Sequence, residues 1–250
     1  MEVYYSKMSV VSICDEIVLN GDVYESLGAE KTQELKRLYA LWRKTCGALW
    51  NSMIQNPQEI DALNEKISVG NGELSCKCMS EVIFILQNQL PLEYRLNGKS
   101  HFVDLGSGYG LSLMHTVCET NHTLTSYSGI EVESSRLRGS REFAMRLGYA
   151  DRVTIVQDSF NSFHNPQISS IMTQASHLYS FDWVFSKDTL EKLAGFLTKS
   201  KNWRVFVSYW NAKTWSKYGL DTVAVCAGKI GRRRMHSQSM TAYIYLRTTS

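Results

Sequence analysis

From residue 100 to its end the chain alternates short apolar runs with helix-length stretches, and this restricts it to a sheet of mainly parallel strands. The runs are 101–105 (HFVDL), 126–132 (SYSGIEV), 152–157 (RVTIVQ), 181–185 (FDWVF) and 203–209 (WRVFVSY). Helix-length stretches fill 111–120, 134–147, 167–178 and 188–200 between them. The pattern then changes: 222–227 (TVAVCA) and 241–247 (TAYIYLR) are rich in strand formers and flank a basic, glycine-containing turn. The expected fold is α/β, a mostly parallel, Rossmann-like sheet of seven strands closed by an antiparallel hairpin. Upstream, residues 1–97 read as a mainly helical lobe. Leu35, Leu38, Trp42 and Leu49 share one helical face in 29–52, and Val82, Ile83, Leu86 and Leu90 share another before Pro91. The expected division is therefore 1–97, a helical lobe, and 98–250, the domain that carries the chemistry.

Composition removes several classes. Of the 250 residues 44% are hydrophobic and 20% charged, which suits a packed domain. No apolar run approaches the roughly 20 residues of a membrane span, and the acidic N-terminus lacks a signal-peptide pattern, so no membrane partner and a cytosolic or nuclear location are expected. The net charge is only +3, but five basic residues and no acidic one follow Asp221. Lys229, Arg232, Arg233 and Arg234 read either as a surface for an acidic partner, as a nuclear-localisation signal, or as a solvated hairpin. The six cysteines are scattered and read as reduced thiols. Cys76 and Cys78 lack a second pair at zinc spacing, so no metal is expected.

The chemistry concentrates in 104–110, Asp-Leu-Gly-Ser-Gly-Tyr-Gly, which follows the first strand and opens a helix. Glycines there let backbone approach a ligand at free helical N–H groups. Asp104, two residues before Gly106, would repel a pyrophosphate but accept hydrogen bonds from a cationic amino-acid group, which favours S-adenosylmethionine over NAD; Gly106 and Gly108 would carry its amino-acid end. Glu131 ends the second strand, where an acid can bind both ribose hydroxyls. Asp158 and Phe160 follow the third strand; they suit an adenine amine and ring, or a helix N-cap and a core residue.

With these residues in place, 100–247 resembles the class I S-adenosylmethionine-dependent methyltransferases. His101–Gly110, 128–131 (SGIE), Gly72-Glu73-Leu74 and 243–248 (YIYLRT) resemble, more narrowly, the motifs of the disruptor-of-telomeric-silencing family of non-SET histone-lysine methyltransferases. Asn71 stands where that family has a lid tyrosine, and Ser186-Lys187 where it has paired asparagines. The resemblance implies methyl transfer from S-adenosylmethionine, with S-adenosylhomocysteine as product, to a lysine in the globular core of histone H-three. It implies a nucleosome partner, contacted at DNA phosphate or the histone acidic patch through Lys229 and Arg232–Arg234, and a nuclear location. It makes Glu73 a lid residue, Ser186 a cofactor-side residue, and Tyr243 and Tyr245 walls of a lysine channel, with Tyr209 as an alternative. Two further functions stay open: an RNA or small-molecule methyltransferase on the same scaffold, and a catalytically silent cofactor-binding scaffold.

Overall fold

The structure is a computed structural model that describes residues 18–19, 27–46, 76–159, 162, 164–235 and 238–248. Its strands are β1 (Val18–Leu19), β2 (His101–Leu105), β3 (Ser126–Glu131), β4 (Val153–Gln157), β5 (His177–Ser180), β6 (Val205–Ser208), β7 (Ala224–Met235) and β8 (Gln238–Arg247). Its helices are α1 (Gly28–Thr45), α2 (Cys76–Asn88), α3 (Leu111–Glu119), α4 (Ser134–Leu147), α5 (Pro166–Gln174), α6 (Lys187–Lys199) and α7 (Ala212–Ser216). One sheet runs in the order β1-β7-β8-β6-β5-β2-β3-β4. β2 to β6 are parallel to one another, and β8 lies antiparallel between β6 and β7. β2 to β8 make up the expected seven strands, six of them where expected, and the two-residue β1 adds a parallel edge to β7.

Alternation along the central strands feeds two cores. Phe102 joins a cluster with α1 to α4, whereas Val103 and Leu105 join one with α5 to α7. The helices upstream of the sheet are continuous with the first core: Leu35, Leu38, Met79, Val82 and Ile83 are fully or almost fully buried in it. Buried His115 of α3 pins them there, its Nδ1 3.1 Å from the Tyr39 hydroxyl and its Nε2 3.1 Å from the Ser80 hydroxyl. No described helix is long and apolar enough to cross a membrane. Cys46, Cys76, Cys78 and Cys118 are free thiols, but Cys226 is disulfide-bonded, which corrects the expectation of six reduced thiols.

One strand departs from expectation. The fourth parallel strand is not 181–185 but β5, His177–Ser180, and Asp182–Val184 form a 3-10 turn. A strand beginning with histidine looked like a helix end. Tertiary partners make it a central strand: His177 Nε2 lies 3.0 Å from the Tyr94 carbonyl, and its Nδ1 3.0 Å from the Ser176 hydroxyl. Burial pushes this imidazole down to about 3, so it is neutral in the core. The aromatic run after it is a loop at the carboxyl edge of the sheet.

Candidate active site

The parallel strands end together at one edge, where loops and helix N-termini converge, and there open α/β sheets bind ligands. The loop between β2 and α3 turns on Gly106, Gly108 and Gly110, with φ of +76°, +54° and +79°. Gly110 is also the N-cap of α3, whose first turn carries no acidic residue and no side-chain cap. A Cβ on Gly110 would collide with the Ser140 hydroxyl of α4, and one on Gly106 would meet the Phe185 ring at 3.1 Å. On Gly108 it would meet nothing within 4 Å. The loop is thus clamped at both ends, between α4 and the β5–α6 loop.

Two carboxylates lie against it. Glu131 is 3% exposed; it accepts the Gly108 N–H at 2.7 Å and the Glu133 N–H at 2.9 Å, which ties the loop to the end of β3. Asp104 is 2% exposed, and burial together with the Glu131 charge pushes its carboxyl up to about 8. Among the described residues neither forms an ion pair. Hydrogen-bond donors without partners also occur here. The buried hydroxyls of Ser107 and Ser140 have none, nor do Nε and Nη2 of Arg136, one helical turn before Ser140, whose charge acts on Glu133. A buried carboxyl without an ion pair, Asp104, and a buried guanidinium with two free nitrogens fit the two ends of a zwitterionic amino acid. The S-adenosylmethionine chemistry read from the sequence therefore agrees with the groups present, and Arg136 is a member that the sequence did not reveal. Among the described residues no three metal-ligating side chains gather.

The remaining expected residues separate. Asp158 directs its carboxylate to its own loop, accepting the Ser159 N–H at 2.7 Å and the Asn165 side-chain amide at 2.9 Å. Hydrogen bonds from Ser162 and Asn165 hold it below the usual aspartate range. Phe160 and Glu73 lie outside the described residues, and so do Gly72 and Asn71. Ser186 caps α6, accepting the Thr189 N–H at 3.2 Å. Tyr245 is 2% exposed, packs on Phe206 and donates its hydroxyl to the Trp210 carbonyl at 2.7 Å. Because β8 runs antiparallel to β6, Tyr243 sits opposite Ser208 at the ligand edge and Tyr245 two pairs deeper, opposite Phe206. Tyr209 is also buried, its hydroxyl 3.4 Å from that of Tyr179. Burial raises its phenol well above the ordinary value, so it cannot act as a base near neutral pH. Lys229 is half-buried on β7, and Arg232, Arg233 and Arg234 follow along the same strand.

Sequence reasoning missed Asp182, which stands just after β5. It is fully buried, and its carboxylate accepts the Ser208 hydroxyl and the Tyr209 N–H, joining the β5–α6 loop to the loop after β6. Burial raises it to about 7, against those two hydrogen bonds. The available signal was an acid directly after a short strand, hidden by the misplaced strand four.

The chain matches no described protein family and no curated protein. Solved structures do resemble it. M. capricolum TrmK, in complex with the natural cofactor product S-adenosyl-homocysteine, aligns with a TM-score of 0.51 at 8% identity, over 71% of this chain and 70% of that one. Streptococcus pneumoniae Sp1610, in complex with S-adenosyl-L-methionine, gives 0.52 at 10% identity, over 71% and 75%. The B. subtilis M1A22 tRNA methyltransferase TrmK gives 0.50 at 11% identity, over 70% and 67%. With the strand order, the closing hairpin and the glycine loop, these likenesses establish that the chain has the class I methyltransferase fold.

Proposed function

We propose that this protein transfers a methyl group from S-adenosylmethionine to RNA. The observation that carries the first half is the set of unmet charges around the glycine loop. Asp104, ionised, would hold the donor's ammonium; Arg136 and the Ser107 and Ser140 hydroxyls would receive its carboxylate; Glu131, fixed by two backbone N–H groups, would take the ribose hydroxyls. The donor, when bound, supplies a methyl group on a positively charged sulfur. The chain itself orients the acceptor at the sheet edge and keeps water from it.

Three observations support RNA over the histone lysine that the motif resemblance suggested. Of the tyrosines expected to wall a lysine channel, Tyr245 and the alternative Tyr209 are buried and hydrogen-bonded, which leaves Tyr243 alone at the ligand edge. Among the similar structures that reach a TM-score of 0.50, B. subtilis TrmK is a tRNA methyltransferase. The basic strand at Lys229–Arg234 suits a polyphosphate backbone. Of the segments behind the histone reading, 101–110 and 128–131 are donor motifs that do not specify the acceptor.

The test offers radiolabelled donor with total RNA, core histones and reconstituted nucleosomes in parallel, with Glu131→Ala as control. Label on RNA, lost in the variant, is expected. Label on one histone alone would restore the lysine reading, and failure of the wild type to bind donor by calorimetry would remove the methyltransferase reading altogether.

A further inference from the structure

At the carboxyl edge, beside the loop that carries Phe185 onto Gly106, two tryptophans stack. Trp183, in the turn after β5, and Trp210, after β6, have ring centroids 4.6 Å apart and planes 22° from parallel. Trp183 is 47% exposed, which makes it one of few large apolar side chains left in water. The pair is fixed from beneath. Trp210 donates its indole N–H to the Asp182 carbonyl at 3.0 Å and its backbone N–H to the Ser208 hydroxyl at 3.0 Å, and its carbonyl accepts the Tyr245 hydroxyl. The Asp182 carboxylate, holding Ser208 and the Tyr209 N–H, locks the two loops together. This is heavy bracing for an exposed ring, and it holds one flat indole face toward solvent beside the donor loop.

From this arrangement we infer that Trp183, backed by Trp210, is a stacking platform for an unpaired nucleobase of the RNA acceptor. Geometry decides between a base and a cationic side chain. A cage for an ammonium needs aromatic faces that converge on one point. Near-parallel rings offer a single outer face, which a third flat ring extends. Charge agrees: exposed Lys187 and Lys213 lie within four residues of the two tryptophans, and the exposed carboxylate nearby, Asp188, is paired with Lys192 at 2.7 Å. Such a surface attracts phosphate and repels a lysine-rich peptide. The inference rests on the RNA reading above and adds the subsite.

The test is binding of a single-stranded RNA decamer carrying 2-aminopurine to the full chain, read by anisotropy and by quenching of the base on stacking. Trp183→Ala should weaken binding about tenfold and abolish the quenching, while Trp183→Phe restores most of both. Donor binding by calorimetry should be the same in all three proteins. RNA binding unchanged in Trp183→Ala, with the wild type still binding, would overturn the platform and leave the RNA reading intact. A wild type that binds donor but no RNA, or a lysine-rich peptide whose binding depends on Trp183, would overturn both.

Discussion

Replacing Asp104 by asparagine should make the protein more stable and a poorer donor binder, and the size of the gain should depend on pH in a way that identifies this carboxyl. Asp104 is buried, lies against Glu131 and has its carboxyl raised from 3.8 to about 8. The unfolded chain loses that proton near 3.8 and the folded chain keeps it to about 8. Below pH 3.8 both forms are protonated and the group costs nothing. Between 3.8 and 8 the unfolded state gains about 1.4 kcal/mol of advantage per pH unit, and above 8 the loss is complete. At pH 7 this is about 4 kcal/mol, a large part of the 5–15 kcal/mol that typical domains possess. Asparagine keeps the shape and removes the charge. Urea unfolding of both proteins at pH 5 to 9 should show the variant's advantage growing by about 4 kcal/mol between pH 5 and 8, then levelling. The donor should reverse the ranking, because its ammonium needs the carboxylate. Below pH 8 its binding to the wild type, but not to the variant, should release about one proton, measured by calorimetry in buffers of different ionisation enthalpy. Parallel stability curves for the two proteins would refute the buried, unpaired carboxyl and with it this account of the donor site.

Three further outcomes follow from the same geometry. His177 is held at about 3, below its usual 6.5, so the wild type should lose about 1.4 kcal/mol per pH unit as pH falls from 6.5 toward 3; His177→Gln should flatten that limb in the same titration. Gly110→Ala forces a side chain into φ +79° and onto the Ser140 hydroxyl, and should lower stability by about 1–2 kcal/mol for the backbone alone, only the contact part being recovered by adding Ser140→Ala. Arg136→Met removes a buried guanidinium whose Nε and Nη2 lack partners, and calorimetry should show a weaker donor site.

What could be read from the chain was what short-range chemistry decides. The glycine loop, β2 and the full extent of α4, 134–147, came directly from positive-φ glycines, an apolar run and a helix that stops at Gly148. Face also came from the sequence, because alternation puts Tyr243 and Tyr245 on one side of β8. Depth did not, because it is set by the antiparallel register with β6, a pairing across some forty residues. Strand four failed for a related reason. His-Leu-Tyr-Ser becomes a central strand because the Tyr94 carbonyl and Ser176 satisfy its histidine, while the more strand-like Phe-Asp-Trp-Val-Phe is held as a turn by Asp182. With the strand drawn through 181–185, the exposed turn that carries Trp183 was not seen.

The groups that make this edge a site are also the ones that cost the fold most. Asp104 keeps a proton it would otherwise lose, Arg136 buries two nitrogens without hydrogen bonds, and Ser107 and Ser140 hide hydroxyls that bond to nothing. None of this serves stability, since apolar residues of similar size would pack there at lower cost. A ligand that meets all four removes these penalties together, so its binding free energy is also stabilisation of the fold. It follows that donor should protect the wild type against urea more strongly than it protects Asp104→Asn or Arg136→Met, and that the protection should increase from pH 6 to 8 as the Asp104 proton becomes easier to lose. Equal protection of all three proteins would place the donor elsewhere on the sheet edge.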